Sequence, residues 1–164
     1  NMHPRVDILK PGIGVGGHCL PIDPWFLNPS VLNTPNSIIR TGRKVNDSIP
    51  KLLANKIFER FTKVLLNKDH KQFVKETKSI HVLLLGYTYK KDSKDIRESP
   101  ALHIEKFLLE KNLVVFKYDP LIDNLSKEEV NKLNKDSYLT ILLVEHSCFK
   151  NKLSDLNYIK WDEL

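Results

Sequence analysis

Ile80-His-Val-Leu-Leu-Leu-Gly-Tyr-Thr-Tyr-Lys-Lys-Asp-Ser-Lys-Asp-Ile-Arg-Glu-Ser-Pro100 is the stretch from which the architecture follows. Its first seven residues form a short apolar run closed by Gly86, the pattern of a strand buried on both faces in a parallel sheet. Ser99-Pro100 then opens a helix, an N-cap residue followed by proline at the first helical position. Ala101, Ile104 and Leu108 mark the buried side of that helix. Leu113-Val-Val-Phe-Lys-Tyr118 predicts a second strand, closed by Asp119-Pro120. Ser126-Lys-Glu-Glu129 is a capping-box start to a short helix, and Leu139-Thr-Ile-Leu-Leu-Val144 a third strand. Strand, helix, strand, helix, strand is the order of a doubly wound α/β domain. Ligands of such sheets bind beyond the C-terminal ends of the strands, so the loop of residues 87–99 is expected to be functional.

Working back from that stretch, residues 67–78 are polar and read as a linker. They divide the chain into residues 1–75 and 76–164. Residues 36–66 carry a helical pattern: Ile38, Ile39 and Val45 lead into Ile49, Leu53, Ile57, Phe61 and Leu65 at four-residue spacing. Pro50 is expected to interrupt or kink this helix, or to open a second one near an Asp47 or Ser48 cap, giving a paired helical arrangement. The apolar stripe fits packing within its own subunit and packing against a partner chain equally well. The Asn46-Asp47 pair reads first as helix-end hydrogen bonding. Residues 1–35 hold Pro4, Pro11, Pro21, Pro24, Pro29 and Pro35, too closely spaced for long elements.

Within that segment lies Pro11-Gly-Ile-Gly-Val-Gly-Gly-His-Cys-Leu-Pro-Ile-Asp-Pro-Trp-Phe26. Its glycines allow close approach to bare main chain, and a thiol at Cys19 and a carboxylate at Asp23 follow at once. A thiolate is a strong nucleophile, so this is a candidate active-site loop. Gly12, Gly14 and Gly17 also fit G-x-G-x-x-G, but that turn works only between a strand and a helix. Pro11, Pro21 and Pro24 exclude a helix there. In the loop after the first strand, Tyr89 suits a flat base, Lys90 suits phosphate, and Arg97 stands just before a helix N-terminus. The plainer alternatives are an exposed charged connector in the second loop and an unreactive buried cysteine in the first.

The composition excludes several classes. The 164 residues are 41% hydrophobic and 28% charged, ordinary for a globular protein. No apolar run approaches the roughly 20 residues of a membrane span, and the start lacks the pattern of a signal peptide. Cys19 and Cys148 stand too far apart in sequence for a disulfide framework or zinc site, so no metal is expected and a reduced, cytoplasmic setting is the default. The net charge of +6 raises nucleic acid as a partner, but the lysines are spread among 20 acidic residues with no concentrated basic motif. An anionic small molecule explains the sign equally well; nucleic acid is the weaker reading and is not expected.

Val15-Gly-Gly-His-Cys19 followed by Asp23-Pro-Trp-Phe26, and Gly86-x-x-Tyr89-Lys90 followed by Asp95-x-Arg97-Glu98-Ser99-Pro100, together resemble the UDP-glucose/GDP-mannose dehydrogenase family. The resemblance runs over nearly the whole chain. It implies a partial helical middle (dimerisation) region followed by a Rossmann-like doubly wound UDP-binding domain. It also implies NAD-dependent oxidation of a sugar C6 alcohol to a carboxylate in two hydride transfers, for polysaccharide precursors, with a UDP-N-acetylhexosamine as substrate. UDP-N-acetylmannosamine comes first and UDP-N-acetylglucosamine close behind. By the same resemblance Cys19 is the nucleophile and Asp23 its catalytic carboxylate. Gly16, Tyr89 and Lys90 contact the UDP-sugar, and Arg97 reaches NAD. His3 and Arg5 reach the substrate of a neighbouring subunit, which implies at least a homodimer. A dinucleotide-binding domain is expected N-terminal to this chain, since the family's catalytic Lys and Asn have no counterpart here. The fragment alone is therefore expected to be inactive. Asp119 is read as a turn residue before Pro120. The competing reading is a nucleotide-sugar-binding or oligomerisation module without turnover.

Overall fold

The computed structural model describes residues 5, 11–27, 30, 33–34, 37–67, 81–149 and 156–164. Strand β1 (His81–Leu85) is buried at every position, as its unbroken apolar run requires. Successive side chains of a strand point to opposite faces, so β1 anchors two cores. Val82 and Leu84 face the helix α1 (Ile38–Asn67) and the helix α2 (Pro100–Glu110), meeting Leu53, Ile57, Ile104 and Leu108. Leu83 and Leu85 face the other way, toward Val130 of α3 (Lys127–Asp136) and Phe149.

The sheet is fully parallel, in the order β2 (Val114–Tyr118), β1, β3 (Leu139–Leu142), β4 (Ile159–Lys160). The crossover through α2 leads from β1 out to β2, and the crossover through α3, on the other face, leads from β2 back past β1 to β3. This is the doubly wound arrangement expected from the sequence, with its switch point between β1 and β3. The Ser126 cap forms as predicted: its hydroxyl accepts from Glu129 N at 3.2 Å, and the Glu129 carboxylate accepts from Ser126 N at 2.8 Å. β3 stops at Leu142, short of Val144, because Leu143 N and Val144 N both turn back to the Leu85 carbonyl. β4 went unforeseen, being too short to show a period.

The main departure is in α1. A paired arrangement was expected at Pro50, yet α1 is one 30-residue helix with Pro50 inside it. An interior proline costs about 3 kcal/mol, through a lost hydrogen bond and a ring clash. Leu53, Ile57 and Phe61 are all buried against the sheet and α2. At about 1.5–3 kcal/mol for each such side chain, their burial outweighs that cost. Pro50 is itself buried, and its ring lies 3.6 Å from the position a Cβ would take on Gly14. The stripe read from the sequence therefore splits: Leu53, Ile57 and Phe61 pack within the subunit, while Ile38 and Val45 are exposed. One core runs from α1 into the sheet. The division at residues 75/76 falls outside the described residues, as do most of residues 67–78. Among the described residues no helix is long and apolar enough to cross a membrane.

Candidate functional site

The cysteine loop and the loop after β1, far apart in sequence, lie directly against each other. Gly17 N donates to the Arg97 carbonyl at 3.1 Å. A Cβ on Gly17 (φ +90°) would stand 2.8 Å from the Tyr89 ring, and one on Gly16 would stand 2.5 Å from the Glu98 carbonyl. Neither position has room for a side chain, and Gly17 also needs the left-handed region. The glycines therefore serve loop-to-loop contact. On the α1 side, Val15 N donates to Asn46 Oδ1 at 2.9 Å. Asn46 was expected to serve its own helix end; it instead holds the cysteine loop. Asp47 pairs with Arg43 one turn away.

Cys19 is exposed and free. Its carbonyl accepts from Ile22 N (2.9 Å) and Asp23 N (2.8 Å), and this turn leads into the short 3₁₀ segment Asp23–Phe26. Across the contact, Arg97 is clamped by Asp95: Nε lies 3.0 Å from both carboxylate oxygens, and a terminal nitrogen lies 2.6 Å from Oδ2. These bonds, with a smaller contribution from nearby His18, hold the Asp95 carboxyl down at about 2. Asp95 in turn pushes the Arg97 guanidinium up, and Tyr89 and Cys19 add to that effect. Arg97 thus lies within electrostatic reach of the Cys19 thiol. Lys90 Nζ sits 5.3 Å above the Tyr89 ring and is exposed. Of the other anticipated residues, Asp23 and Arg5 are exposed, Gly16 is buried under the second loop, and His3 lies outside the described residues.

Beneath the second loop is a buried polar knot joining the ends of β1, β2 and β3. Asp119 is not only a turn residue. It is fully buried; its Oδ2 accepts from Tyr87 N (2.9 Å) and Thr88 N (3.2 Å), and its Oδ1 from Leu121 N (3.0 Å). His146 Nε2 lies 2.9 Å from Asp119 Oδ2. Asp92 N donates to His146 Nδ1 at 2.9 Å, so Nδ1 carries no proton and the neutral ring bears its hydrogen on Nε2, aimed at Asp119. Asp123 completes the knot, accepting from the Tyr87 hydroxyl and from Asp119 N. Burial, then the bond to Asp123, push the Tyr87 hydroxyl well above the ordinary phenol range, so it stays a donor. No motif singles out His146 in the sequence, where it is a lone histidine after a strand.

The knot and Gly86 decide what this domain can hold. A Rossmann dinucleotide site needs an open glycine turn at the switch point and a free acid at the end of the second strand. Here a Cβ on Gly86 would stand 2.2 Å from the Val144 carbonyl, so the ends of β1 and β3 close on each other. The Asp119 carboxylate is already taken by three backbone amides and a histidine. The described residues therefore do not fit NAD as a primary site. Among the described residues no group of three or more metal-ligating side chains occurs.

Tyr89 of the loop after β1 thus packs against the cysteine loop at one edge of a doubly wound sheet. Residues 83–161 match the UDP binding domain of the UDP-glucose/GDP-mannose dehydrogenase family and residues 1–48 its central domain; the chain belongs to that family. It is 38% identical to the UDP-N-acetyl-D-mannosamine dehydrogenase of Methanococcus aeolicus over 153 residues, 92% of this chain and 32% of that protein. The NDP-N-acetyl-D-galactosaminuronic acid dehydrogenase of Ralstonia solanacearum is 34% identical over 163 residues, covering 94% of this chain and 35% of that one. Among solved structures, the UDP-D-ManNAc dehydrogenase of Pyrococcus horikoshii superposes with a TM-score of 0.63 at 34% identity, over 90% of this chain and 33% of that one. The chain spans about a third of the length of the relatives it matches.

Proposed function

We propose that the protein carrying this chain is a UDP-N-acetyl-D-mannosamine 6-dehydrogenase of the cytoplasm. It would oxidise the sugar C6 alcohol to a carboxylate for polysaccharide precursors, with NAD as hydride acceptor, bound outside the described residues. The observation that carries this reading is the docking of the Gly16-Gly17 turn onto the Tyr89–Arg97 loop, which brings a free, exposed thiol within electrostatic reach of the Arg97 guanidinium. Oxidising an alcohol to an acid passes through an aldehyde, which has to be held between the two oxidations. The Cys19 thiolate adds to the aldehyde carbon, forming a C–S bond and, with one proton, a thiohemiacetal. Loss of a hydride from that carbon to the acceptor, with the hydroxyl proton going to solvent, leaves a thioester. Water then attacks the thioester carbon, Asp23 accepts one of its protons, and the thiolate departs, leaving an acid that gives its remaining proton to solvent and becomes the carboxylate. Tyr89 and Lys90 take the base and phosphates of the UDP group, and Arg97 reaches toward the cofactor. UDP-N-acetylglucosamine is the alternative substrate, because Leu20-Pro-Ile-Asp23 also resembles dehydrogenases of that sugar.

The same reading includes a homodimer or larger assembly in which His3 and Arg5 reach a neighbouring site. Its support is Ile38, Val45 and Leu52, exposed at seven-residue intervals along α1. For the 164-residue chain by itself, a second reading is favoured by the closed crevice at Gly86: it binds nucleotide-sugar without turnover.

Replacing Cys19 tests the chemistry. In an active enzyme carrying this loop, Cys19→Ser should permit the first oxidation and block the second. A rate loss of about a thousandfold is expected, or roughly 4 kcal/mol of barrier. Cys148→Ser is the control and should leave turnover unchanged, since Cys148 lies beyond β3 and matches no catalytic position of the family pattern. Completion of both oxidations at the parent rate by Cys19→Ser would show the thiol to be structural.

A further inference from the structure

The knot at the strand ends has no part in the chemistry above, and its members are too buried to touch a ligand. His146, Asp119 and Thr88 all have 0% exposure. Apart from the turn of residues 119–123, the groups they hold belong to the loop that carries Tyr89 and Lys90. At the start of that loop Asp119 holds Tyr87 N and Thr88 N. In its middle the Thr88 hydroxyl donates to the Lys90 carbonyl at 3.1 Å and lies 3.1 Å from His146 Nε2. At its end Asp92 adopts φ +56°, the left-handed region that L residues seldom enter. The bonds on Asp92 come from the turn after β3: its N–H reaches His146 Nδ1, and its carboxylate takes Ser147 N (2.7 Å) and the Ser147 hydroxyl (2.6 Å).

We propose that His146, backed by Asp119, is a positioning residue that presets the loop of residues 87–92, so that Tyr89 and Lys90 meet a uridine diphosphate group without prior ordering. This rests on the reading that these two residues face the nucleotide. The physical reason is preorganisation: a loop already fixed in its bound shape loses less conformational freedom on binding. The two ring nitrogens have separate jobs. Nε2–H ties the ring to Asp119, and Nδ1 accepts from the Asp92 amide.

Two substitutions separate these jobs. His146→Asn keeps an oxygen near Nδ1 to accept from Asp92 N; His146→Gln keeps a donor near Nε2 and gives up that acceptor. Amide hydrogen exchange by NMR and UDP binding by calorimetry on the 164-residue chain read the result. In His146→Gln the Asp92 amide should exchange at least about tenfold faster and UDP should bind about tenfold more weakly, the scale of one lost hydrogen bond, with the Leu83 and Leu84 amides still protected. His146→Asn should restore protection at Asp92 and most of the affinity. Unchanged UDP affinity in His146→Gln despite faster exchange at Asp92 would overturn the proposal. So would a parallel loss of protection at Leu83 and Leu84, which marks a merely structural role. If the parent chain binds no UDP, the nucleotide reading of Tyr89 and Lys90 fails and the proposal with it. Unchanged Asp92 exchange in a parent that does bind UDP overturns the clamp alone. Should neither variant fold, the parent decides: its His146 ring must be the Nε2–H tautomer and UDP must slow Asp92 exchange further, and an Nδ1–H ring overturns the proposal.

Discussion

Asp95 and Arg97 show how much of the site rests on single exposed contacts. Both side chains reach solvent, yet the guanidinium and the backbone amide of Arg97 converge on one carboxylate. The folded-state value of Asp95, about 2, lies below its ordinary 3.8. The pairing is therefore complete above the ordinary carboxylate range and is lost as pH falls toward about 2. Side-chain NMR titration should find the Asp95 midpoint near 2, and Arg97→Leu should return it toward 3.8. A parent midpoint at the ordinary value would mean that Arg97 is not held beside the cysteine loop. The candidate residues Cys19, Tyr89, Lys90 and Arg97 were legible because each sits in a local motif of glycine, aromatic and charge. Asp119 and His146 were not, because their partners come from three strand ends, up to 58 residues apart. A buried polar group is recognised only when its donors and acceptors can be counted, and a sequence does not supply that count.

The same boundary between local and distant information runs through the elements. Apolar runs placed β1, β2 and β3, the Ser99-Pro100 start with the Ala101, Ile104 and Leu108 face placed α2, and the Ser126 capping box placed α3. In α1 the period was right and the break was wrong, because a local rule about proline met a tertiary contact. Pro50 is buried beside Gly14 and Pro100, where the cysteine loop and the start of α2 converge. Replacing it sets two effects against each other. Pro50→Ala restores a backbone donor and removes the ring clash, a gain of about 3 kcal/mol in a helix interior. It also removes two ring carbons from a buried contact, a loss of roughly 1.6 kcal/mol at about 0.8 per CH₂. The helix effect wins. Pro50→Ala should unfold about 1 kcal/mol later in urea while the cysteine loop loses its support, seen as faster exchange at the Val15 amide. A loss of stability would mean that the ring's packing outweighs the backbone effect.

At the scale of the whole molecule, the doubly wound class was legible, since right-handed crossovers leave few topologies for alternating strands and helices. What α1 does with its remaining apolar residues was not, because a helical period assigns a face without naming what covers it. The structure assigns part of that answer. Ile38 is 84% exposed and Val45 and Leu52 are each 58% exposed, a seven-residue repeat suited to a second helix along the same seam. Three side chains bury far less than the roughly 1,200 Å² of a stable specific interface. The proposed homodimer therefore needs further area from neighbouring segments, and exposed Trp25 and Phe26 are apolar surface of the right kind. Placing charge in the seam should separate the copies without harming the fold, because these side chains contribute little to the subunit's own core. Sedimentation equilibrium should show a dimer for the parent and a monomer for the double variant Val45→Glu, Leu52→Glu, with unchanged circular dichroism. At a two-fold contact the new carboxylates would face their own copies, so adding salt should partly recover the dimer by screening them. A parent that stays monomeric at high concentration, or a double variant that dimerises as the parent does, would take the seam out of the proposed assembly.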